Sequence, residues 1–133
     1  MENKTLETKR VVNCTPHAVN ILSAESFMYK GVTPKVRLSF PTSDFIARLV
    51  YDTRLVERFL IENHVVDVTS TKYGRVLGLP QPEPGVIYIV SKLVAEALYG
   101  VRDDVFILSG LARNSVGKTL GGRSLARLQT LTR

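Results

Sequence analysis

The chain has 133 residues, 44% of them hydrophobic and 23% charged, a balance that suits one soluble globular domain with a buried core. Its single cysteine, Cys14, excludes an intrachain disulfide framework, and no apolar run approaches the roughly 20 residues of a membrane-crossing helix. The net charge is +6, and nearly all of the excess follows Val105, where Arg113, Lys118, Arg123, Arg127 and Arg133 stand with no acidic residue. Such a segment favours an anionic partner, with a solvated basic edge as the plainer alternative.

Residues 1–9 are polar and expected to be disordered. They lack the apolar stretch of a signal peptide, so the expected location is the cytoplasm, that of the host cell if the protein is viral. Arg10 to Cys14 reads as a short strand. Pro16 breaks it by fixing its own φ and holding Thr15 extended, and Ala18 to Leu22 resumes an apolar alternation. Residues 23–31 read as a loop, with Phe27, Met28 and Tyr29 as an apolar cover. Val36, Leu38 and Phe40 alternate with polar residues as a half-buried strand does. Pro41 to Asp44 is a turn cluster.

Residues 45–51 and 55–63 fit a helix or a strand; flanking β segments favour strand for the first. Val65 to Thr71 is rich in β-branched residues and reads as a strand. Lys72 to Gly74 is expected to turn, with Arg75 to Gly78 pairing back. Three prolines between Leu79 and Gly85 make a stiff connector. Val86 to Val90 is a buried strand, and Ser91 is a suitable helix cap. Leu93, Val94, Ala97 and Leu98 share one helical face, and Gly100 can end the helix in left-handed geometry. Val105 to Ser109 is a further strand, and residues 111–127 read as a hairpin with Asn114 to Gly117 near its tip. Gly121 and Gly122 suggest a bulge or a close backbone approach. The expected fold is α+β in residues 10–133, mostly antiparallel, a small barrel-like or curved sheet with one short helix at about 91–99.

Three places carry candidate chemistry. His17, fixed beside the Pro16 kink with Thr15, can move a proton or meet a phosphate; a turn histidine is the plainer reading. Ser91 and Lys92 open the helix, where free amides attract anions and a lysine is otherwise disfavoured. Arg113, Asn114, Lys118, Arg123 and Arg127 form a basic hairpin, and arginine forks suit phosphate. No aromatic follows Phe106 to stack bases, so a long nucleic acid is not favoured. Gly117-Lys118-Thr119 ends like a phosphate-binding loop, but Ala112 stands where its first glycine belongs. Cys14, His17 and His64 match no zinc spacing, and no metal or other cofactor is expected.

The ordered pieces Asn13-Cys-Thr-Pro-His17, Tyr73-Gly-Arg-Val-Leu-Gly-Leu-Pro80, Pro84-Gly-Val-Ile-Tyr-Ile-Val-Ser91, Arg102-Asp103, Arg113-Asn114 and Ser124-Leu-Ala-Arg127 resemble a family of small, mostly uncharacterised bacteriophage and bacterial proteins. Asn114 stands where that family usually has aspartate. By analogy with small phage proteins that capture nucleotide immune signals, the resemblance implies a compact homo-oligomer with a basic pocket.

The leading expectation is therefore binding of a phosphorylated, nucleotide-type ligand, and by the same analogy sequestration of a nucleotide immune signal by a phage counter-defence protein. His17, Thr15, Ser91, Lys92, Arg102, Arg113, Asn114, Arg123 and Arg127 would supply the pocket. The enzymatic alternative is a metal-independent phosphodiesterase with His17 as acid or base and Thr15 beside it. The third reading is an interaction or structural module that docks through the basic C-terminal hairpin. For Arg102, an ion pair with Asp103 or Asp104 is the competing role.

Overall fold

The computed structural model describes residues 6–28 and 34–129. Tyr29 of the expected apolar cover lies outside them, as do the side chains of Phe27 and Met28. Eight strands and two short helices follow in the order β1 (Arg10–Asn13), β2 (Val19–Leu22), α1 (Glu25–Met28), β3 (Val36–Phe40), β4 (Arg48–Ile61), β5 (His64–Leu77), β6 (Val86–Ile89), α2 (Lys92–Ala97), β7 (Val105–Arg113) and β8 (Thr119–Ala126). The chain is mostly β, as expected, but α1 puts one helical turn inside the expected loop at 23–31. Among the described residues no helix is long and apolar enough to cross a membrane.

Six strands make one sheet in the order β1-β6-β7-β8-β2-β3. It is mixed: β1, β6 and β7 run parallel, β8 runs antiparallel to β7, and β2 is parallel to β8 and antiparallel to β3. The expectation was a barrel-like or curved sheet; the order has two ends, β1 and β3, and no strand ladder joins them among the described residues, although Asn13 of β1 bonds the Phe40 carbonyl of β3 at 2.9 Å. The parallel β6–β7 pair follows from its connection, because α2 carries the chain back between the two strands.

The core forms around β6. Val86, Tyr88 and Val90 point to the side that α2 covers with Val94, Ala95 and Leu98, and Cys14, Ala47 and Val105 complete the cluster. Ile89 points to the other side, and Val19, Ile21 and Leu22 of β2 are buried as well. Alternate burial on both faces explains why this strand is apolar without interruption. The Tyr88 hydroxyl donates to the Gln81 carbonyl at 2.9 Å, and the Arg102 guanidinium donates to the Pro80 carbonyl at 3.1 Å. The proline connector is thus fastened at two carbonyls by groups of the core.

Ser91 caps α2 as its residue type predicts: its hydroxyl oxygen accepts from the Val94 amide at 3.3 Å. Gly100 takes φ 77° just past the helix, the left-handed geometry that favours glycine. The two-glycine step in β8 is a close approach. A Cβ on Gly121 would stand 2.7 Å from the Asn20 carbonyl oxygen, and one on Gly122 would stand 2.6 Å from that of Ser109.

The largest departure is the second sheet. β4 and β5 pair along their whole length as a single two-stranded hairpin of 14 residues per strand. Its turn is Glu62-Asn63, with φ of 49° and 65°, the pair of left-handed residues that a two-residue hairpin loop requires. Lys72-Tyr73-Gly74 therefore does not turn; it continues β5. At 3.3 Å per residue the hairpin reaches about 45 Å. Leu49 and Val76 at its base pack on the core. From Val50 to Arg75 every residue is exposed except Val68.

Candidate functional site

The Thr15-Pro16-His17 turn follows the end of β1 and is built on Asn13, only 2% exposed. Asn13 Nδ2 donates to the His17 carbonyl at 2.8 Å and to the Phe40 carbonyl at 2.9 Å. Its Oδ1 accepts from the Thr15 amide at 2.9 Å and from the Thr15 hydroxyl at 2.7 Å. The Ser43 hydroxyl donates to the Asn13 carbonyl at 2.7 Å. One buried amide thus joins β1, its turn, the end of β3 and the following loop. Asn13 was not among the expected site residues. Its signal was an asparagine two residues before a threonine, the spacing at which an Asx side chain bonds the backbone ahead of it.

The turn leaves the His17 residue exposed and Thr15 partly buried. Thr15 Oγ1 also lies 2.9 Å from the His17 carbonyl, so its one proton is shared between that oxygen and Asn13 Oδ1. A hydroxyl engaged in this way is a turn element and a poor nucleophile. Burial pushes the Cys14 thiol above its ordinary pKa, partly offset by a hydrogen bond with Ser43. That keeps it protonated and unreactive.

His17 and Thr15 line a depression of about 600 Å³ with Asn20, Lys118 and Thr119, over a floor that includes Val19, Leu108 and Gly121. Among the described residues that line it, none is acidic. Asn20 is committed to the framework, accepting from the Ser39 hydroxyl at 2.7 Å and donating to the Leu120 carbonyl at 3.2 Å. His17, Lys118 and Thr119 are the remaining lining residues whose side chains can donate a hydrogen bond.

The structure does not gather the other candidates around it. Arg102 pairs with Asp104 through two bonds, 2.8 Å from Nε and 2.9 Å from an Nη nitrogen, with both side chains mostly buried. Its guanidinium also lies 5.5 Å from the Tyr88 ring centroid. Hydrogen bonding to Arg102, followed by its charge, holds the Asp104 carboxyl below the ordinary carboxylate range despite partial burial. Arg102 is therefore an internal clamp held by Asp104, and the pair is mostly buried where a surface pairing with Asp103 or Asp104 was the competing expectation.

Arg127 stacks on Phe106, its guanidinium carbon 4.9 Å from the ring centroid. It lines a hollow of about 640 Å³ whose walls also carry Lys9, Arg102, Glu83, Asp103 and Asp104. Three cations are there matched by three carboxylates, so that hollow is no basic pocket. Arg113 donates to the Gly117 carbonyl at 3.2 Å, and Asn114 Oδ1 accepts from the amides of Val116 and Lys118 at 3.0 and 2.9 Å. Both residues shape the β7–β8 turn. Arg123 lies with Arg37 beside Leu22 and Ala24, in a separate recess.

Ser91 is spent on its cap, and Lys92 is exposed at the start of a six-residue helix. So short a helix aligns few peptide dipoles, and the expected anion site at its start is not built. Among the described residues no group of three or more His, Cys, Asp or Glu could hold a metal ion. Set against family models, against curated proteins and against solved structures, the chain matches none of them.

Proposed function

We propose that the protein binds a phosphorylated, nucleotide-type ligand in the depression between the Thr15–His17 turn and the start of β8. The observation that carries this reading is the lining: His17 and Lys118 with the Thr119 hydroxyl, over partly apolar walls, with no carboxylate among the described lining residues. A phosphate placed there meets donors and no repulsion, while a base or sugar finds Val19 and Leu108. The volume lies within the range usual for small-ligand sites, about 300–1,000 Å³. Among the described residues, no ion pair engages Lys118.

The engaged Thr15 hydroxyl favours capture over cleavage, since it leaves His17 without an activated nucleophile next to it. Sequestration of a nucleotide signal by a phage-type protein belongs to the same proposal and rests on the family resemblance and analogy. The test is incubation with a panel of linear and cyclic nucleotides, reading depletion from solution and then release on heating. Depletion with intact release is expected for the natural chain. Lys118→Glu should weaken binding at least about tenfold, because it places an anion in the site. No depletion across the panel, or depletion that Lys118→Glu leaves untouched, would remove this site.

A further inference from the structure

We infer that the β4–β5 hairpin is a dimerisation arm whose occupant is the same arm of a second copy of this chain, packed face to face about a twofold axis. The proposal is independent of the ligand. It starts from a face with no cover. Two-stranded hairpins are marginal in water unless a face is buried, and this one projects beyond the core from Val50 onward.

The pairing register defines its two faces, since directly opposed residues share a side. One face is largely free of net charge. At its outer end Leu60 opposes Val65, 71% and 69% exposed. At its inner end Tyr51 opposes Tyr73, 64% and 55% exposed, with ring centroids 6.4 Å apart. Midway stands the Leu55–Thr69 pair. Between middle and tip, Arg58 pairs with Asp67 at 3.1 Å. Between middle and base, the Thr53 and Thr71 hydroxyls lie 3.1 Å apart. The opposite face is apolar towards its tip, with Phe59, Ile61, Val66 and Val68, but carries Asp52, Arg54, Glu57 and Lys72 towards its base, so turning it on itself would lay charged pairs on apolar ones.

The extra residue Val56, at the bulge between Leu55 and Glu57, leaves these pairs evenly spaced along β5. Counting cross-strand pairs from Leu55–Thr69, the tip pair Leu60–Val65 and the base pair Tyr51–Tyr73 are the same distance away, in opposite directions. A twofold axis at the middle pair therefore lays the aliphatic tip of one arm on the tyrosine pair of the other. The same operation sets the Arg58–Asp67 ion pair over the two threonine hydroxyls, which can donate to the carboxylate or accept from the guanidinium. Leu55 meets its own copy. This self-complementarity is what an isologous interface requires.

Charge and size agree with it. Between Tyr51 and Tyr73 the arm has four acidic residues (Asp52, Glu57, Glu62, Asp67) and three basic ones (Arg54, Arg58, Lys72), so two arms meet without the repulsion that the chain's +6 would impose elsewhere. A face about 30 Å long and 10 Å wide, with side-chain relief, buries on the order of 500 Å² per copy, about 1,000 Å² in total, the low end of specific interfaces.

The test is sedimentation velocity on the full chain across a concentration series, with a dimer expected. Leu60→Glu would set a carboxylate against the tyrosines and weaken the dimer at least about tenfold. Leu60 is exposed, so circular dichroism should report an unchanged fold. A short bis-maleimide should link Leu55→Cys to its copy and leave Ser70→Cys, on the other face, unlinked. A chain that stays monomeric throughout, a dimer indifferent to Leu60→Glu, or linkage at Ser70→Cys equal to that at Leu55→Cys would overturn the proposal.

Discussion

The six-stranded body and the two-stranded arm draw on the same residue types and treat them oppositely. In the body, Val86, Tyr88, Ile89 and Val90 lie within 6% of full burial, because α2 covers one face and neighbouring strands flank them on both edges. In the arm, Phe59, Leu60 and Ile61 are 47%, 71% and 49% exposed, because none of the described residues covers them. Apolar content in a strand thus signals a need for cover, and the connections of the chain decide whether that chain supplies it. The body satisfies itself through a helix and a buried asparagine; the arm leaves its demand open, as an interaction surface does.

The largest effect that follows from this contrast belongs to Asn13→Ala. The substitution removes one buried amide, takes that partner from the Thr15 amide and the Phe40 carbonyl, and leaves the His17 carbonyl to the Thr15 hydroxyl. A loss of about 3 kcal/mol is expected from the urea midpoint. Ligand binding should fall with it, since the turn that presents His17 rests on this residue. A loss below about 1 kcal/mol would mean that the turn is held from elsewhere.

A second, smaller effect compares one interaction in the two regions. Arg102–Asp104 and Arg58–Asp67 are both arginine–aspartate pairs, but the first has side chains 16% and 17% exposed and the second 64% and 59%. Asp104→Asn should cost about 2 kcal/mol at neutral pH. Asp67→Asn should cost no more than about 0.5 kcal/mol. The pH dependence has a definite sign. Because Arg102 lowers the folded pKa of Asp104, its contribution is fully present above the unfolded carboxylate value near 4. That contribution is lost as pH falls through the lowered folded value. The gap between wild type and Asp104→Asn should therefore narrow in acid. Denaturation at neutral pH and near pH 3 measures it, and an equal gap at both would show that the pair acts through packing alone.

Local signals explain what was legible beforehand. The cap at Ser91, the left-handed Gly100, the apolar run at Val86 and the turn at Asn114 to Gly117 each act within a few residues, and each stands where its chemistry placed it. The two glycines of β8 foretold a close approach for the same reason. The hairpin at Lys72 to Gly74 was misplaced because Gly74 resembles a turn residue. It sits instead in β5 against Val50, with no positive φ and with space in which even an added Cβ would make ordinary contacts. The turn at Glu62-Asn63 lacks the glycine that usually marks such loops. The site was less legible still. Arginines far apart in sequence read as one basic pocket, yet Asp104 and Phe106 hold two of them in separate tasks. Only the position of His17 next to Lys118 in one depression depended on how β2 and β8 pair across the sheet.

The smallest effect is the sharpest test of the arm. Ile61 and Ile89 are the same residue in β strands, 49% and 1% exposed. A buried isoleucine shortened to alanine costs about 2–5 kcal/mol, from lost transfer energy and the cavity left behind. Ile61→Ala leaves no cavity in an uncovered hairpin and should change the urea midpoint by no more than about 0.5 kcal/mol. Arm-to-arm pairing does not alter this expectation, because Ile61 opposes His64 on the face turned away from Leu60 and Val65. Dimer affinity should be equally unmoved, in contrast to Leu60→Glu one residue earlier. A cost above about 1 kcal/mol at Ile61 would place cover on the wrong face, and would require the arm to fold against a body or to pair through both of its sides.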